Sequence, residues 1–463
     1  MPLRHAALAA ALALAALPLR AEDTIVFVSA RNHLVAYDLA TGAERARFAT
    51  PGLSSDMMVT RDGVLLLNHR DGDTILVVDA RRLRELARIP SSSMGGRRPV
   101  HGYLTPVIDG RQFFVALNDG VSTPGQPNTD NTALFIDVTP GSPTYLKPAG
   151  EVRLGQGHHK AAFHPTLPRM AVSNINDCEE IIGVYDFANP AAIRRVASLD
   201  ARRLGLDGSS EAKTCTPTAS RPGVRPAPHG AATEPVSGLA VHNLNGTGQF
   251  VLVDMAAEPS SFTALATRGW GGSAIGVHPL GRWLYGPQYA PREGDSRAPG
   301  LPCQVGQIAV IDGAKASVVT EIPVLKDGPD CTRSLAGTPE AGARVGYVAV
   351  APRGDKLFLP LGTLGPETTR SSAVAVFDLS EPQRPVQRAS IAVGLHNGHR
   401  DMAMTGDGTR LLVPANIDNT LTVIDIAKAE AVRSFPVTER PNRVATFSPT
   451  SGPSKPAGPP PTR

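Results

Sequence analysis

Four of the twelve histidines of this 463-residue chain lie in short segments that resemble one another. The segments read VHGYLTP, GHHKAAFHP, PHGAATEP and GHRDMAM, and they contain His101, His158, His229 and His399. Imidazole nitrogens, with an occasional carboxylate, are the usual protein ligands of Zn, Cu and Fe(II). Whether the four histidines can meet depends on the elements that carry them.

An eightfold repeat provides those elements. Its copies read HLVAYD, TILVVD, ALFID, IGVYD, FVLVD, IAVID, VAVFD and LTVID. Alternating β-branched residues predict a strand, and the segments that follow are typical of turns. An apolar hairpin precedes most copies and one further strand follows each, so a unit has four antiparallel strands, as in a propeller blade. The sequence therefore predicts an all-β, eight-bladed β-propeller.

The two ends of the chain are predicted to close this ring. The first unit starts at its second strand, TIVFVSA, and lacks an inner strand. The C-terminal segment RVATFSP (443–449) has the pattern of an inner strand. Pairing of the N- and C-terminal strands would complete blade 1 and remove two free sheet edges.

The four histidines occupy one position of this repeat. Eight residues before the turn that ends each inner strand, blades 2, 3, 4, 5 and 8 have Ser54, His101, His158, His229 and His399. The same count in blades 6, 7 and 1 reaches Gly272, Val345 and Asn442. Inner strands line the channel of a propeller, so the sequence predicts a partial histidine ring near one mouth.

A second layer is predicted one step deeper in the channel. Side chains two residues apart on a strand face the same way. The layer holds Asp56, Tyr103, Lys160 and Asp401, whose carboxylates could ligate a metal or orient an imidazole. His159 beside His158, and His396 in the motif His-Asn-Gly-His, complete the set of candidate ligands.

Four cysteines predict two disulfides in an exported chain. Cys178 and Cys215 flank the last two strands of blade 4, and Cys303 and Cys331 occupy the same places in blade 6. We expect the pairs Cys178–Cys215 and Cys303–Cys331, each holding a long insertion. No Cys-x-x-Cys-His occurs, which excludes covalent attachment of a c-type haem.

Three regions are expected along the chain. Residues 1–21 have the basic start and Ala/Leu run of a secretory signal cleaved after Ala21, residues 22–449 form the propeller, and residues 450–463 form a disordered Pro-rich tail. No second apolar run is long enough to span a membrane. The net charge of +4 comes from dispersed residues, which disfavours nucleic acid as a partner. We expect a periplasmic monomer.

The repeat resembles the YVTN-type and cytochrome d1-like propellers over nearly all of the mature chain. The channel histidines, the export signal and the disulfide before His-Gly are similar to the periplasmic zinc chaperones of AztD type. The resemblance implies that zinc, or copper, is held in the channel and handed to the solute-binding protein of an ABC importer. It makes His101, His158, His229 and His399 the candidate ligands.

Three alternatives stay open. The first is a haem d1-binding propeller protein, with a channel histidine as axial ligand and basic residues at the haem carboxylates. The second is a metal-dependent propeller enzyme, a lactonase or a copper oxidase. The third is an interaction scaffold that binds no stoichiometric metal. The chain has no Gly-x-Ser-x-Gly, His-Glu-x-x-His or Walker motif, so we favour a binding protein over an enzyme.

Overall fold

Eight antiparallel sheets form the molecule, each of four or five strands. The structure is a computed structural model that describes residues 24–121, 130–157, 159–216, 223–269, 271–290, 305–324, 343–363, 372–396 and 401–449. The sheets follow one another in chain order, as the eight sequence repeats predict. The prediction of an eight-bladed β-propeller is confirmed.

The first four blades hold fifteen of the strands in chain order. Blade 1 begins with β1 (Ile25–Ser29), β2 (Asn32–Asp38) and β3 (Glu44–Thr50). Blade 2 has β4 (Met57–Val59), β5 (Val64–His69), β6 (Thr74–Asp79) and β7 (Arg84–Pro90). Blade 3 has β8 (Pro99–Leu104), β9 (Phe113–Asp119), β10 (Asn131–Asp137) and β11 (Pro148–Arg153). Blade 4 has β12 (His159–Phe163), β13 (Arg169–Asn174), β14 (Ile182–Asp186) and β15 (Arg194–Leu199).

The remaining blades repeat this plan. Blade 5 has β16 (Pro228–Thr233), β17 (Ala240–Leu244), β18 (Gln249–Asp254) and β19 (Ser261–Ala266). Blade 6 has β20 (Gly276–Val277), β21 (Trp283–Ala290), β22 (Val305–Asp312) and β23 (Ser317–Pro323). Blade 7 has β24 (Ala343–Arg344), β25 (Ala349–Val350), β26 (Lys356–Thr363), β27 (Ser372–Asp378) and β28 (Val386–Val393). Blade 8 has β29 (Ala403–Met404), β30 (Arg410–Ala415), β31 (Thr420–Asp425) and β32 (Glu430–Pro436).

Helical structure in the described residues is limited to short 3₁₀ turns. They lie at Arg70–Gly72, Pro190–Ala192, Ala201–Leu204 and Glu211–Lys213. None of the described helices is long and apolar enough to cross a membrane.

The ring closes as the sequence predicts. The last strand, β33 (Arg443–Phe447), pairs antiparallel with β1, with Ile25 opposite Phe447 and Ser29 opposite Arg443. The C-terminal strand is thereby the inner strand of blade 1. This pairing joins the two ends of the described chain through backbone hydrogen bonds.

The repeat aspartates hold the turn after the third strand of each blade. In blade 2, the Asp79 carboxylate accepts hydrogen bonds from the backbone N–H groups of Arg81 and Arg82, at 3.0 and 2.9 Å. In blade 8, Asp425 accepts from the N–H of Lys428 at 3.0 Å. Asp side chains commonly stabilise turns in this way. The repeat aspartate is therefore a structural residue at the face opposite the histidines.

The core is divided among the interfaces between blades. One apolar cluster joins blades 1 and 2 and includes Phe27 and Leu65, and another joins blades 4 and 5 and includes Val184 and Val251. Period-2 alternation explains this arrangement, because successive side chains of a strand face opposite neighbouring blades. Blade packing thus fixes where each inner strand meets the channel.

One predicted disulfide is confirmed. Cys178 and Cys215 are bonded, with a Cα–Cα distance of 6.0 Å. The bond holds the long connection between blades 4 and 5, which then leads into β16. Cys303 and Cys331 lie outside the described residues, as do the predicted signal segment 1–21 and tail 450–463.

Candidate functional site

Two inner strands are irregular where they carry a candidate histidine. On β8, Pro99 pairs with Asn118 and His101 with Leu117, which leaves Val100 as an extra residue. On β16, Pro228 pairs with Leu244 and Gly230 with Asn243, which leaves His229 as the extra residue. Such bulges change the direction of a side chain relative to a regular strand. Blades 3 and 5 therefore both have a β-bulge at or next to the repeat position of the histidines.

Glycine next to the histidines is required by the packing. A Cβ atom on Gly102 would lie 2.8 Å from the Phe114 ring. Gly157, before His158, has a φ of +103°, in the region that favours glycine. These glycines let the chain reach the mouth of the channel between packed blades.

Asp56 orients His101. The Nδ1 atom of His101 lies 2.6 Å from Oδ2 of Asp56, and the two side chains are 2% and 9% exposed. The other oxygen, Oδ1, accepts a hydrogen bond from Nε of Arg443 at 2.6 Å. Both carboxylate oxygens are thus engaged by the protein. Of the two roles that the sequence leaves open for Asp56, the geometry favours orienting the imidazole.

The four residues of the second predicted layer belong to a larger polar group that is drawn from six blades. We call it the channel cluster; it consists of Asp56, His101, Tyr103, Lys160, Tyr347, Asp401 and Arg443. The Lys160 ammonium lies 5.9 Å from the centre of the Tyr347 ring, and the Arg443 guanidinium lies 5.8 Å from it. Because blades 4 and 7 stand on different sides of the ring, the contact between Lys160 and Tyr347 crosses the channel.

The electrostatics of the channel cluster are those of buried, mutually compensated charges. Burial by itself would raise the pKa of Asp56, but His101 and Arg443 outweigh it and hold the pKa well below its usual range. Burial raises the pKa of Asp401, with the Asp56 carboxylate acting in the same direction. Burial also raises the pKa of Tyr103 to about 12. The phenol of Tyr103 therefore stays protonated at neutral pH.

Lys160 keeps its charge in this environment. Burial disfavours the ammonium, whereas the negative charge of the Asp56 carboxylate favours it, and the pKa of Lys160 lies above its ordinary value. Lys160 is only 9% exposed. The channel thus contains a buried cation close to the predicted ligand His101.

Two candidate ligands have their own structural roles. His159 is fully buried, with Nδ1 3.2 Å from Asp119 Oδ1 and Nε2 2.9 Å from the carbonyl oxygen of Gly155. Because both ring nitrogens make protein hydrogen bonds, we leave His159 out of the proposed ligand set. The backbone of His396 is fixed by Ser372, whose hydroxyl accepts from its N–H at 2.9 Å and donates to its carbonyl at 3.1 Å.

The ring of four histidines lies only in part within the described chain. His101 and His229 are described, whereas His158 and His399 are outside the described residues. Within the described part, no group of three or more His, Cys, Asp or Glu side chains is arranged to hold a metal ion. Ligation by the four-histidine ring stays a prediction.

Sequence reasoning missed two members of the channel cluster. Tyr347 stands at the second-layer position of blade 7, but the apolar Val345 two residues before it gave that blade no polar signal. Arg443 lies one residue before the second-layer count in blade 1. The count places Val444 there, and only the pairing of β33 with β1 shows which side chain reaches Asp56.

Two further histidines, His164 and His278, lie in the turns that follow inner strands and hydrogen-bond to the backbone there. His164 Nδ1 accepts a hydrogen bond from the N–H of Leu167 at 3.0 Å. His278 Nδ1 accepts from the N–H of Leu280 at 3.3 Å, and its Nε2 lies 3.1 Å from the carbonyl oxygen of Gly354. The His-Pro turns of blades 4 and 6 thus use the imidazole in place of the usual turn carboxylate.

The comparison with known proteins finds similar structures but no similar sequences. No protein-family model and no curated protein matches the sequence. Apo AztD from Citrobacter koseri superposes with a TM-score of 0.54 at 12% identity, over 92% of this chain and 97% of that chain. Dihydro-heme d1 dehydrogenase NirN, in complex with DHE, superposes with a TM-score of 0.52 at 15% identity, over 94% of this chain and 76% of that chain.

A third similar structure is a functionally unknown protein from Desulfotomaculum acetoxidans DSM 771. It gives a TM-score of 0.51 at 12% identity, over 92% of this chain and 99% of that chain. At identities this low, the superpositions establish the fold alone, and the function has to be argued from the residues of this chain. By its blades and by these likenesses, the chain is an eight-bladed β-propeller with the architecture of AztD and NirN.

Proposed function

We propose that this protein is an exported metallochaperone that carries one transition-metal ion at the mouth of its channel. Zinc is the favoured cargo, and copper is the alternative. The ligands would be His101, His158 and His229 from neighbouring blades, with His399 from across the channel. The receiver would be a periplasmic solute-binding protein of an ABC importer.

The contact between Asp56 and His101 is the observation that carries the proposal. Metal-binding histidines usually give one ring nitrogen to the ion and the other to a carboxylate or carbonyl. Asp56 lies 2.6 Å from Nδ1 of His101, so Nε2 would be the nitrogen that His101 gives to the ion. Arg443 holds Asp56 in turn, so the orientation of the imidazole rests on two charge-assisted hydrogen bonds.

The charges of the channel cluster suit a cargo that must leave. Neutral imidazoles bring no negative charge to the ion, and in the channel cluster the Lys160 and Arg443 cations offset the nearby carboxylates. A site of neutral histidines would therefore leave the charge of the ion uncompensated, which favours its release to a partner.

The test is zinc binding by paired histidine variants. The double variant His101→Ala/His229→Ala should lose tight zinc binding in a chelator competition assay while still unfolding in one cooperative transition, as a folded propeller does. His33→Ala is the matched control, because His33 is the second residue of β2, in the outer part of blade 1. Zinc binding by the double variant equal to that of the control would refute the proposed ligands.

A second candidate function is binding of a tetrapyrrole such as haem d1. The buried Lys160 ammonium favours it, because a channel cation can meet a macrocycle carboxylate. The channel cluster opposes it, since polar side chains from opposite blades approach within 6 Å of one ring and occupy the space of a flat macrocycle. Absorption bands after adding the macrocycle, lost in Lys160→Gln, would establish this function instead.

A further inference from the structure

A pocket lies on the face opposite the histidines, among the turns of blades 2 and 3 and the end of β33. Its volume is about 480 Å³, and pockets of this size commonly hold small molecules. It shares no residue with the channel cluster. We call it the turn-face pocket; two arginines and mostly apolar side chains define it, namely Arg61, Arg81, Val107, Val138, Pro140 and Pro449.

Arg81 is held in place at the turn-face pocket. Its Nε donates to the backbone carbonyl of Asp62 at 3.4 Å, and its guanidinium carbon lies 5.0 Å from the centre of the Phe447 ring. In the described part of the chain, neither Arg61 nor Arg81 forms an ion pair, whereas the neighbouring Arg82 does. The pocket therefore has two guanidinium groups that no carboxylate of the described chain engages.

The acidic side chain at this pocket, Asp62, has other partners. Its Oδ1 accepts a hydrogen bond from the Thr60 hydroxyl at 2.5 Å, and its Oδ2 accepts one from the Tyr145 hydroxyl at 2.5 Å. Both carboxylate oxygens are thus turned to hydroxyl groups. Two guanidinium groups and one carboxylate leave a single net positive charge at the pocket, which favours an anion of one negative charge.

The apolar part of the pocket is open to water. Val107 is 64% exposed, an unusual position for an apolar side chain on a turn, and Val138 is buried beneath it with 1% exposure. Pro140 and Pro449 add further apolar surface at the same pocket. A ligand that covers these side chains removes apolar area from water, which favours binding. The pocket therefore suits an anion that also has an apolar body.

We propose that the turn-face pocket binds a small organic monocarboxylate with an apolar body. The carboxylate accepts hydrogen bonds from Arg61 and Arg81, because the planar fork of a guanidinium group matches a carboxylate. The apolar body lies against Val107 and the two prolines. A dianion fits less well, since Asp62 repels the second charge. This site goes beyond the proposed metal cargo and does not depend on it.

The experiment uses the full-length protein and 3-phenylpropionate as the probe, with dissociation constants from ligand-observed NMR titrations at fixed ionic strength. We expect Arg61→Gln and Arg81→Gln each to weaken binding about tenfold, because each removes a charge-assisted hydrogen bond. Arg353→Gln is the matched control, since it removes the same charge from the turn after the inner strand of blade 7. It should bind like the wild type.

The apolar contribution is tested with a second pair of variants. Val107→Ser should weaken binding severalfold, because the ligand loses an apolar contact. Val236→Ser, which changes a 75% exposed valine on a turn of blade 5, should have no effect. Acetate and 3-phenylpropionamide, which lack the apolar body and the charge respectively, should both bind more weakly than 3-phenylpropionate.

Several results would overturn the proposal. They are absence of 3-phenylpropionate binding to the wild type, equal binding by Arg81→Gln and Arg353→Gln, and equal binding of the acid and its amide. A large gain in affinity on removing residues 450–463 would also overturn it, because the pocket would then be filled by the chain itself. Circular dichroism shows whether each variant is folded. Zinc titration of the same proteins keeps the two proposals distinct, because either site can fail while the other is intact.

Discussion

Asp56 of blade 2 forms hydrogen bonds with His101 of blade 3 and with Arg443 of blade 1, and so links three blades. We predict that Asp56→Asn weakens zinc binding by about 10- to 100-fold, because the imidazole loses its orienting anion. The same change should lower the free energy of unfolding by about 3 kcal/mol, because buried Arg443 loses its counter-charge. Chelator competition and urea unfolding measure the two effects.

Asp312→Asn is the control for this variant. Asp312 is 1% exposed and pairs with Arg282 at 2.8 Å, but it ends the third strand of blade 6, away from the channel cluster. We expect a loss of stability with unchanged zinc affinity. Equal zinc affinity in both variants would mean that Asp56 supports the fold and not the ligand.

His242 predicts a pH dependence of stability. It is fully buried on β17, neither ring nitrogen has a hydrogen-bond partner among the described residues, and burial lowers its pKa to about 3. The unfolded chain takes up a proton on this residue below pH 6.5, whereas the folded chain does so only near pH 3. The neutral His242 therefore makes its full contribution to the unfolding free energy above pH 6.5. This contribution falls by about 1.4 kcal/mol per pH unit as the pH decreases from 6.5 towards 3.

His242→Leu isolates this effect. Between pH 7.5 and pH 5 the wild type should lose about 2 kcal/mol more unfolding free energy than the variant, as measured by urea unfolding at each pH. The variant should also be no less stable at pH 7.5, because leucine suits the apolar interface between blades 4 and 5. An identical pH dependence for both proteins would show that His242 does not titrate as described.

Among the connecting elements, the segment between blades 4 and 5 carries the confirmed disulfide. Cys178 and Cys215 are 37 residues apart, and closing such a loop stabilises the fold by about 4 kcal/mol in the chain-entropy view. We predict that Cys178→Ser/Cys215→Ser lowers stability by up to that amount. It should also weaken zinc binding, because this segment leads directly into the bulge at His229. Calorimetry measures the stability of the variant, and chelator competition measures its zinc affinity. A loss of stability with unchanged zinc affinity would mean that the disulfide is purely structural.

The inner strands also show what the sequence could and could not predict. Eight Asp-ended strands gave the number of blades, because strand alternation and turn chemistry are local properties. The repeat count also placed Asp56, Tyr103, Lys160 and Asp401 in one layer, although it could not show their contacts. The bulges at Val100 and His229 and the position of Arg443 depend on pairing with distant strands, for which a single sequence has no signal.

At the scale of the whole molecule, the pairing of β33 with β1 should determine whether the propeller unfolds in a single cooperative transition. Removing residues 450–463 should leave the unfolding temperature unchanged, because the prediction of a disordered tail assigns them no packing. Removing residues 443–463 takes away the partner of β1 and also Arg443, so we expect loss of a single cooperative unfolding transition. Calorimetry compares the two truncations, and equal cooperativity would contradict the role given to strand pairing at the ring closure.

The metal content of the protein tests the central claim most directly. The protein would be purified from the periplasm without a histidine tag or chelator, then examined by elemental analysis and absorption spectroscopy. The account predicts about one zinc or copper ion per chain and no tetrapyrrole bands. A protein that carries no metal and binds none when zinc or copper is added would contradict it.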